Sequence, residues 1–351
     1  MRKEKIVYII GAGASKGDGI PLLDDIKDAL KKLIDVCRDS EIVGIDRHKY
    51  SLIERKRLES AYKYWEINFP DKNIEEVMTY LSKGDENNHL NDFKYSYVAV
   101  IMYYAYYYDY YQNSKKEPKH SVTYVKFINK VLSENADIIS LNVDNQICDC
   151  IYGDEELNNI ILTKFSQERK NYIEESARGD EKQKYQYKRE VAASLTEEWK
   201  PFFRFIRLHG SISFPNNDDS KHSITVSLLS HTQDLIDGKF RVLYPTFTKR
   251  YFTGKKSENF YGELEDALAL IKEAKKIIVI GYSFPISDTY WISEFYEAIF
   301  QNRNNPEIEV VNPAFKKHGC IANNYLQAIL SKYMKNVKFF PYKFEEFLRL
   351  S

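Results

Sequence analysis

Cysteine is scarce and without pattern in this chain of 351 residues: Cys37, Cys148, Cys150 and Cys320 form no Cys-x-x-Cys pair. A four-thiolate zinc ribbon is therefore excluded, and a disulfide framework is not indicated, which implies a reducing compartment. Net charge is also missing. Lys plus Arg and Asp plus Glu both total 51, so no global field draws the chain to nucleic acid or to an anionic membrane, and direct nucleic-acid binding is not expected. No apolar leader opens the sequence, which predicts a cytoplasmic protein. Long apolar runs are lacking too. The longest, Tyr95 to Tyr111, is broken by Asp109 and dominated by tyrosine, and it reads as a packed helix rather than a membrane span. No internal repeat suggests a solenoid.

What is present is enough apolar material, 43% of residues, for a sizeable core. The chain is organised around Lys5-Ile6-Val7-Tyr8-Ile9-Ile10-Gly11-Ala12-Gly13-Ala14-Ser15. The apolar run reads as a fully buried parallel strand, and small residues end it abruptly. Gly11 and Gly13 allow a tight turn and close approach of backbone to a ligand. Ala14 and Ser15 keep the path clear and would leave N–H groups pointing outward near a helix start, a cradle for phosphate. Gly17 falls one position late for the full Gly-x-Gly-x-x-Gly fingerprint, so a merely close-packed connection is the competing reading.

Leu22 to Cys37 carries apolar residues at helical spacing, with one face predicted to pack on the sheet. Asp24 and Asp25 in its first turn suit the helix dipole. Residues 40–135 lack strand alternation and read as a helical insertion, with helices over Leu52 to Trp65, Ile74 to Leu81, Asp92 to Tyr111 and Val122 to Leu132. The tyrosine-dense third helix is either an ordinary aromatic core or a self-association surface. Asp137 to Leu141 is the second core strand and delivers Asn142 and Asp144 to its C-terminal end, the edge where open parallel sheets bind ligands. Residues 161–200 are strongly polar and read as a surface excursion. Strands then follow over Phe202 to Leu208, Phe240 to Pro245, Lys276 to Ile280, Ile308 to Val311 and Val337 to Phe340. Helices are predicted over Tyr261 to Ala274, Asp288 to Phe300, Ile321 to Leu330 and Phe344 to Leu350. The alternation predicts an α/β fold: a Rossmann-like parallel sheet flanked by helices, with a helical insertion between the first and second core strands.

Five segments, in order, resemble those of sirtuin-like (SIR2) domains. They are Gly11-Ala12-Gly13-Ala14-Ser15 followed by Gly19-Ile20-Pro21, Ser140-Leu141-Asn142-Val143-Asp144-Asn145, Leu208-His209-Gly210-Ser211, Gly281-Tyr282-Ser283-Phe284-Pro285 and Val310-Val311-Asn312-Pro313. Asn73-Ile74-Glu75-Glu76-Val77 is similar to a helix start common in that family. The resemblance implies a single SIR2-like domain over residues 1–351. Without a zinc module it points to the zinc-less branch from bacterial anti-phage defence, which hydrolyses NAD rather than deacetylating a peptide. The chain would then be an NAD+ glycohydrolase, releasing nicotinamide and depleting NAD, with NAD as substrate and no metal.

By that resemblance the phosphates and riboses of NAD lie against Gly11, Ala12, Gly13, Ala14, Ser15, Pro21, Gly281 and Ser283, with Asn312 at the adenosine ribose. Asn142, His209 and Asp144 are the catalytic candidates. Asn142 is neutral and can donate and accept at once, so it can fix a water or a ribose hydroxyl. His209 is the candidate general base, and Asp144 would orient either one or the nicotinamide ribose. Each has a plainer alternative: Asn142 a turn or cap residue, His209 a packed residue before Gly210, Asp144 a helix cap. Lys249 and Arg250 are either near the phosphates or simply exposed, and stand outside the candidate site. On this reading the last core helix closes the chain, so a separate sensor is expected, by resemblance a HerA-type ATPase or a short Argonaute protein, and the chain itself is expected to form a homo-oligomer through its insertion. An NAD or ADP-ribose sensor without turnover is the alternative function.

Overall fold

The computed structural model describes residues 5–38, 55–84, 87–106, 121–147, 150, 203–215, 240–247, 249, 261–316 and 336–350. The polar segment 161–200, the predicted helix at 321–330, Arg250 and the tyrosines from 107 to 111 lie outside them. Six strands make one all-parallel sheet: β1 (Ile6–Ile10), β2 (Asp137–Ser140), β3 (Phe205–Arg207), β6 (Lys276–Ile280), β7 (Glu307–Val311) and β8 (Val337–Phe340). A separate antiparallel pair is formed by β4 (Gly210–Pro215) and β5 (Phe240–Val242). The order in the large sheet is β3-β2-β1-β6-β7-β8. The chain thus builds outward from β1 on one side, then returns to the other side of β1, which makes the β1/β6 boundary a topological switch point of the Rossmann kind.

Burial on both faces explains why the central strands β1 and β6 read as apolar runs. Val7 and Ile9 face a core shared with α6 (Tyr261–Glu273) and α7 (Thr289–Gln301). Tyr8 and Ile10 face the opposite core, filled from α5 (Val122–Glu134) and α8 (Phe344–Leu350). This gives three layers, helix on sheet on helix.

One packing expectation is corrected. The helix after β1 begins with a 3-10 turn at Leu23–Asp25 and continues as α1 (Ile26–Arg38). Its apolar face, Ile26, Ala29, Leu30, Leu33 and Ile34, does not lie on the sheet. It joins the core of the insertion with Leu58 and Trp65 of α2 (Arg55–Asn68), Val77 and Met78 of α3 (Ile74–Leu81), and Phe93 of α4 (Asn87–Tyr106). The sheet face is covered instead by α5, the helix immediately before β2, so α1 is free to nucleate a second core. Asp25 accepts the Leu22 N–H at 3.2 Å and so acts as a cap in the turn.

The tyrosine question resolves the same way for the residues described. Tyr95, Tyr97, Tyr103 and Tyr104 are all buried in the insertion core, so they are ordinary core aromatics and present no surface for self-association. No described helix is long and apolar enough to cross a membrane.

Candidate functional site

The C-terminal ends of β1, β2, β3 and β6 meet at the switch point, and the two glycine turns lock against each other there. Gly11 N–H donates to the Ile280 carbonyl at 2.9 Å, and Gly13 N–H to the Gly281 carbonyl at 2.8 Å. The Ala14 N–H, expected to point outward, donates back to the Gly11 carbonyl at 2.9 Å. The outward set of amides foreseen for a phosphate is therefore smaller than the sequence suggested, because the 12–18 segment winds as a 3-10 helix and uses them. Ala12 and Gly13 themselves are exposed, and Pro21 is buried.

Ser15 is fully buried, and its side chain turns inward to the ends of β2 and α5. It accepts from Asn142 Nδ2 at 3.0 Å, donates to Asp144 Oδ2 at 2.9 Å, and lies 2.8 Å from the Tyr124 hydroxyl. With its one proton given to the carboxylate, Ser15 has two lone pairs left, one for Asn142 and one for Tyr124. The hydroxyl is thereby saturated, and it fixes the Asn142 amide.

Asn142 is 5% exposed, and its buried Oδ1 has no hydrogen-bond partner among the described residues. An orphaned buried acceptor costs about 1–3 kcal/mol, so this oxygen is not placed for the sake of stability. Asp144 also caps the following turn, accepting the Gln146 N–H at 3.2 Å, so its plainer reading is realised alongside the contact to Ser15. Burial holds its carboxyl above the usual range, opposed by Ser15, the Gln146 N–H and Arg207.

His209 follows β3, which pairs with β2 through Ser140 and Arg207. Asn142 and His209 each stand two residues beyond that pair, so the register brings them to neighbouring strand ends. The His209 carbonyl accepts the Leu243 N–H at 2.9 Å, and the Val143 carbonyl accepts the Ile212 N–H at 3.0 Å. The β4–β5 ribbon thus clamps both loops. Gly210, at φ +77°, makes the left-handed reversal into β4 that sets the imidazole.

The His209 ring is buried, with Nε2 3.9 Å from Asp288 Oδ1. Asp288 is in turn ion-paired to the buried Lys249 and accepts from the Tyr282 hydroxyl at 2.7 Å. Burial pushes the imidazole down to about 4; Asp288 resists this, and Lys249 adds to it. Burial pushes the Asp288 carboxyl up, but His209, Lys249 and Tyr282 together outweigh it and hold it below the usual range.

Neither Lys249 nor Asp288 was in the site foreseen from sequence. Thirty-nine residues separate them, and only the polar Ser287-Asp288 step before an apolar helix hinted at a buried role. Ser283 is exposed at the β6 turn, while Asn312 at the end of β7 spends its Oδ1 on the Ala314 N–H at 2.9 Å, which makes it a cap at least. Among the described residues no group of His, Cys, Asp and Glu is arranged to hold a metal.

The neutral buried imidazole has a consequence for stability. The folded pKa lies below the unfolded value near 6.5, so between these limits the unfolded chain binds the extra proton and stability rises with pH. His209 should contribute about 3 kcal/mol above pH 7, lost progressively as pH falls from about 6.5 to 4. Urea midpoints across pH 4–7 for wild type and His209→Gln test this: the wild-type decline should be steeper, and parallel curves would contradict it.

No family model and no curated protein matches the chain. Among solved structures it is similar to Sir2Tm bound to a propionylated peptide, at 12% identity and a TM-score of 0.41, covering 99% of this chain and 92% of that one. It is also similar to a SIR2 protein in complex with the inhibitor EX-527, 2'-O-acetyl-ADP-ribose and a deacetylated p53 peptide, at 13% identity and a TM-score of 0.37, covering 99% and 93%. At such identity the likeness concerns the course of the chain, and the chemistry of the site has to be read from its own residues.

Proposed function

We propose that the chain is an NAD+ hydrolase that cleaves the nicotinamide–ribose bond. The observation that carries this reading is Asn142. Its amide is fixed by Ser15, and its buried oxygen lacks a partner among the described residues, at the end of a strand whose neighbour ends in a neutral imidazole. Such a pair suits a reaction in which water replaces a leaving group at a sugar carbon. The bond between ribose C1' and the pyridinium nitrogen breaks, and its electron pair stays with nicotinamide. The positive charge moves to the sugar, water adds at C1', and His209 accepts the proton that water sheds. Asp288, 3.9 Å from Nε2, would stabilise the imidazolium so formed.

A binding module without turnover would keep the glycine turns but would need neither an unsatisfied Asn142 oxygen nor a buried neutral His209. The reading extends, through the five motif segments, to an effector of anti-phage defence that works as a homo-oligomer with a separate sensor protein such as a HerA-type ATPase or a short Argonaute. The experiment is to incubate the purified chain with NAD, alone and with its genomic neighbour, and to measure free nicotinamide and ADP-ribose. NAD left intact under both conditions would overturn the proposal.

A further inference from the structure

The helical insertion brings a carboxylate to this site that the reaction outlined above leaves unused. Glu75, in the first turn of α3, is 5% exposed, and its Oε1 has no hydrogen-bond partner of ordinary geometry among the described residues. Ser287, 3% exposed, stands next to the Glu75 carboxyl, and its hydroxyl likewise has no partner of ordinary geometry among the described residues. Burial holds the Glu75 carboxyl above its usual range; Ser287 and Lys249 oppose this. The Ser287 hydroxyl is close enough to the Glu75 carboxyl to lower its pKa as a donor, yet the pair does not reach ordinary hydrogen-bond geometry, so both groups face one small region beside Asp288 and are only loosely engaged with each other.

Glu75 is held rigidly in this place. The reciprocal cap between Asn73 and Glu76 fixes the start of α3 and directs the neighbouring Glu76 away to Lys72. Thr79 Oγ1 donates to the Glu75 carbonyl at 2.6 Å and accepts from Phe247 N–H at 2.8 Å, which ties α3 to the segment carrying Lys249. Tyr97 of α4, buried, lies within electrostatic reach of Asp144, Glu75 and Asp288 alike, so the two halves of the site share one wall.

We propose that Glu75 is a substrate-contacting residue, accepting hydrogen bonds from the vicinal hydroxyls of a ribose, with Ser287 as the second contact. The inference rests on the nucleotide reading above and adds to it a sugar-binding residue supplied by the insertion. The chemistry favours a diol over a phosphate. Among the described residues Glu75 and Asp288 place two carboxylates against the Lys249 ammonium, a balance that disfavours an anion, whereas a carboxylate accepts well from paired hydroxyls. Glu75 and His209 both face Asp288, which lies 3.9 Å from His209 Nε2, so the ribose held here is the one that carries the scissile bond.

The test is calorimetric titration of wild type and Glu75→Gln with ADP-ribose, which has both riboses, and with ADP, which has only the adenosine ribose. ADP-ribose affinity should fall about tenfold in Glu75→Gln, with ADP unchanged, the loss expected for one charge-assisted hydrogen bond. Ser287→Ala, a smaller change, should give a weaker loss of the same pattern. Equal affinities for ADP-ribose in wild type and both variants would overturn the proposal and leave the nucleotide reading standing. An equal loss for both ligands would overturn it as well, since that pattern signals general disturbance. If wild type binds neither ligand, the nucleotide reading falls, and the role of Glu75 with it.

Discussion

Asn142→Ala and His209→Ala should each lose nicotinamide release by about 10²–10⁴-fold while the chain stays folded, the range expected when a positioned proton acceptor or its orienting partner is removed. For Asn142 the argument separates function from stability. Among the described residues its Oδ1 makes no hydrogen bond and its amide serves Ser15, so truncation removes an uncompensated polar group and one donor. The thermal midpoint should move little. His209 fills a buried position, so His209→Ala leaves a cavity, and His209→Gln serves as the volume-conserving control. A further signature follows from the depressed imidazole. In the free enzyme His209 loses its proton at about 4, so the acid limb of kcat/KM should fall near pH 4 rather than near 6.5. Wild-type turnover surviving in both alanine variants would remove these residues from the chemistry, and an acid limb near 6.5 would point to a different base.

How far the site could be read beforehand depended on whether each contact was local in the chain. The two strands with their glycine turns, Ile6 to Gly11 and Lys276 to Gly281, are legible nearly residue for residue, because a parallel strand buried on both faces must be continuously apolar and must stop at a turn. Helix α1 shows the limit of that logic. Its spacing reveals a buried face but not what covers it, and Leu30 and Leu33 pack on the insertion instead of the sheet. Strand β4 was missed because Gly-Ser-Ile-Ser-Phe-Pro has weak strand character alone, and its partner Phe240–Val242 lies well downstream. The Lys249–Asp288 pair and the orphaned Glu75 oxygen were not legible for the same reason. Charged residues are ordinarily exposed, and only the fold shows that these three are withdrawn from water.

Gly281→Ala should be among the most destabilising single-methyl changes the chain can undergo. At φ +65°, Gly281 occupies the left-handed region, and a Cβ there would sit 2.2 Å from the Ala14 nitrogen and 2.6 Å from the Gly13 carbonyl carbon. Both are backbone atoms, so no side-chain rotation relieves the clash, and the turn must move as a whole. Strain at a left-handed residue together with overpacking amounts to about 2–5 kcal/mol, against a total stability of about 5–15 kcal/mol for a typical domain. Gly262 offers the opposite case within the same chain. It is the second residue of α6, with nothing among the described residues within 4 Å of the position its Cβ would take, so Gly262→Ala should stabilise by up to about 0.5 kcal/mol through helix propensity. Denaturant midpoints of the two variants should therefore shift in opposite directions, and a Gly281→Ala protein within 1 kcal/mol of wild type would mean that the turns are not locked together. The displacement should also reach the chemistry. Gly13 N–H donates to the Gly281 carbonyl, and the segment it anchors carries Ser15, the residue that holds Asn142 in place.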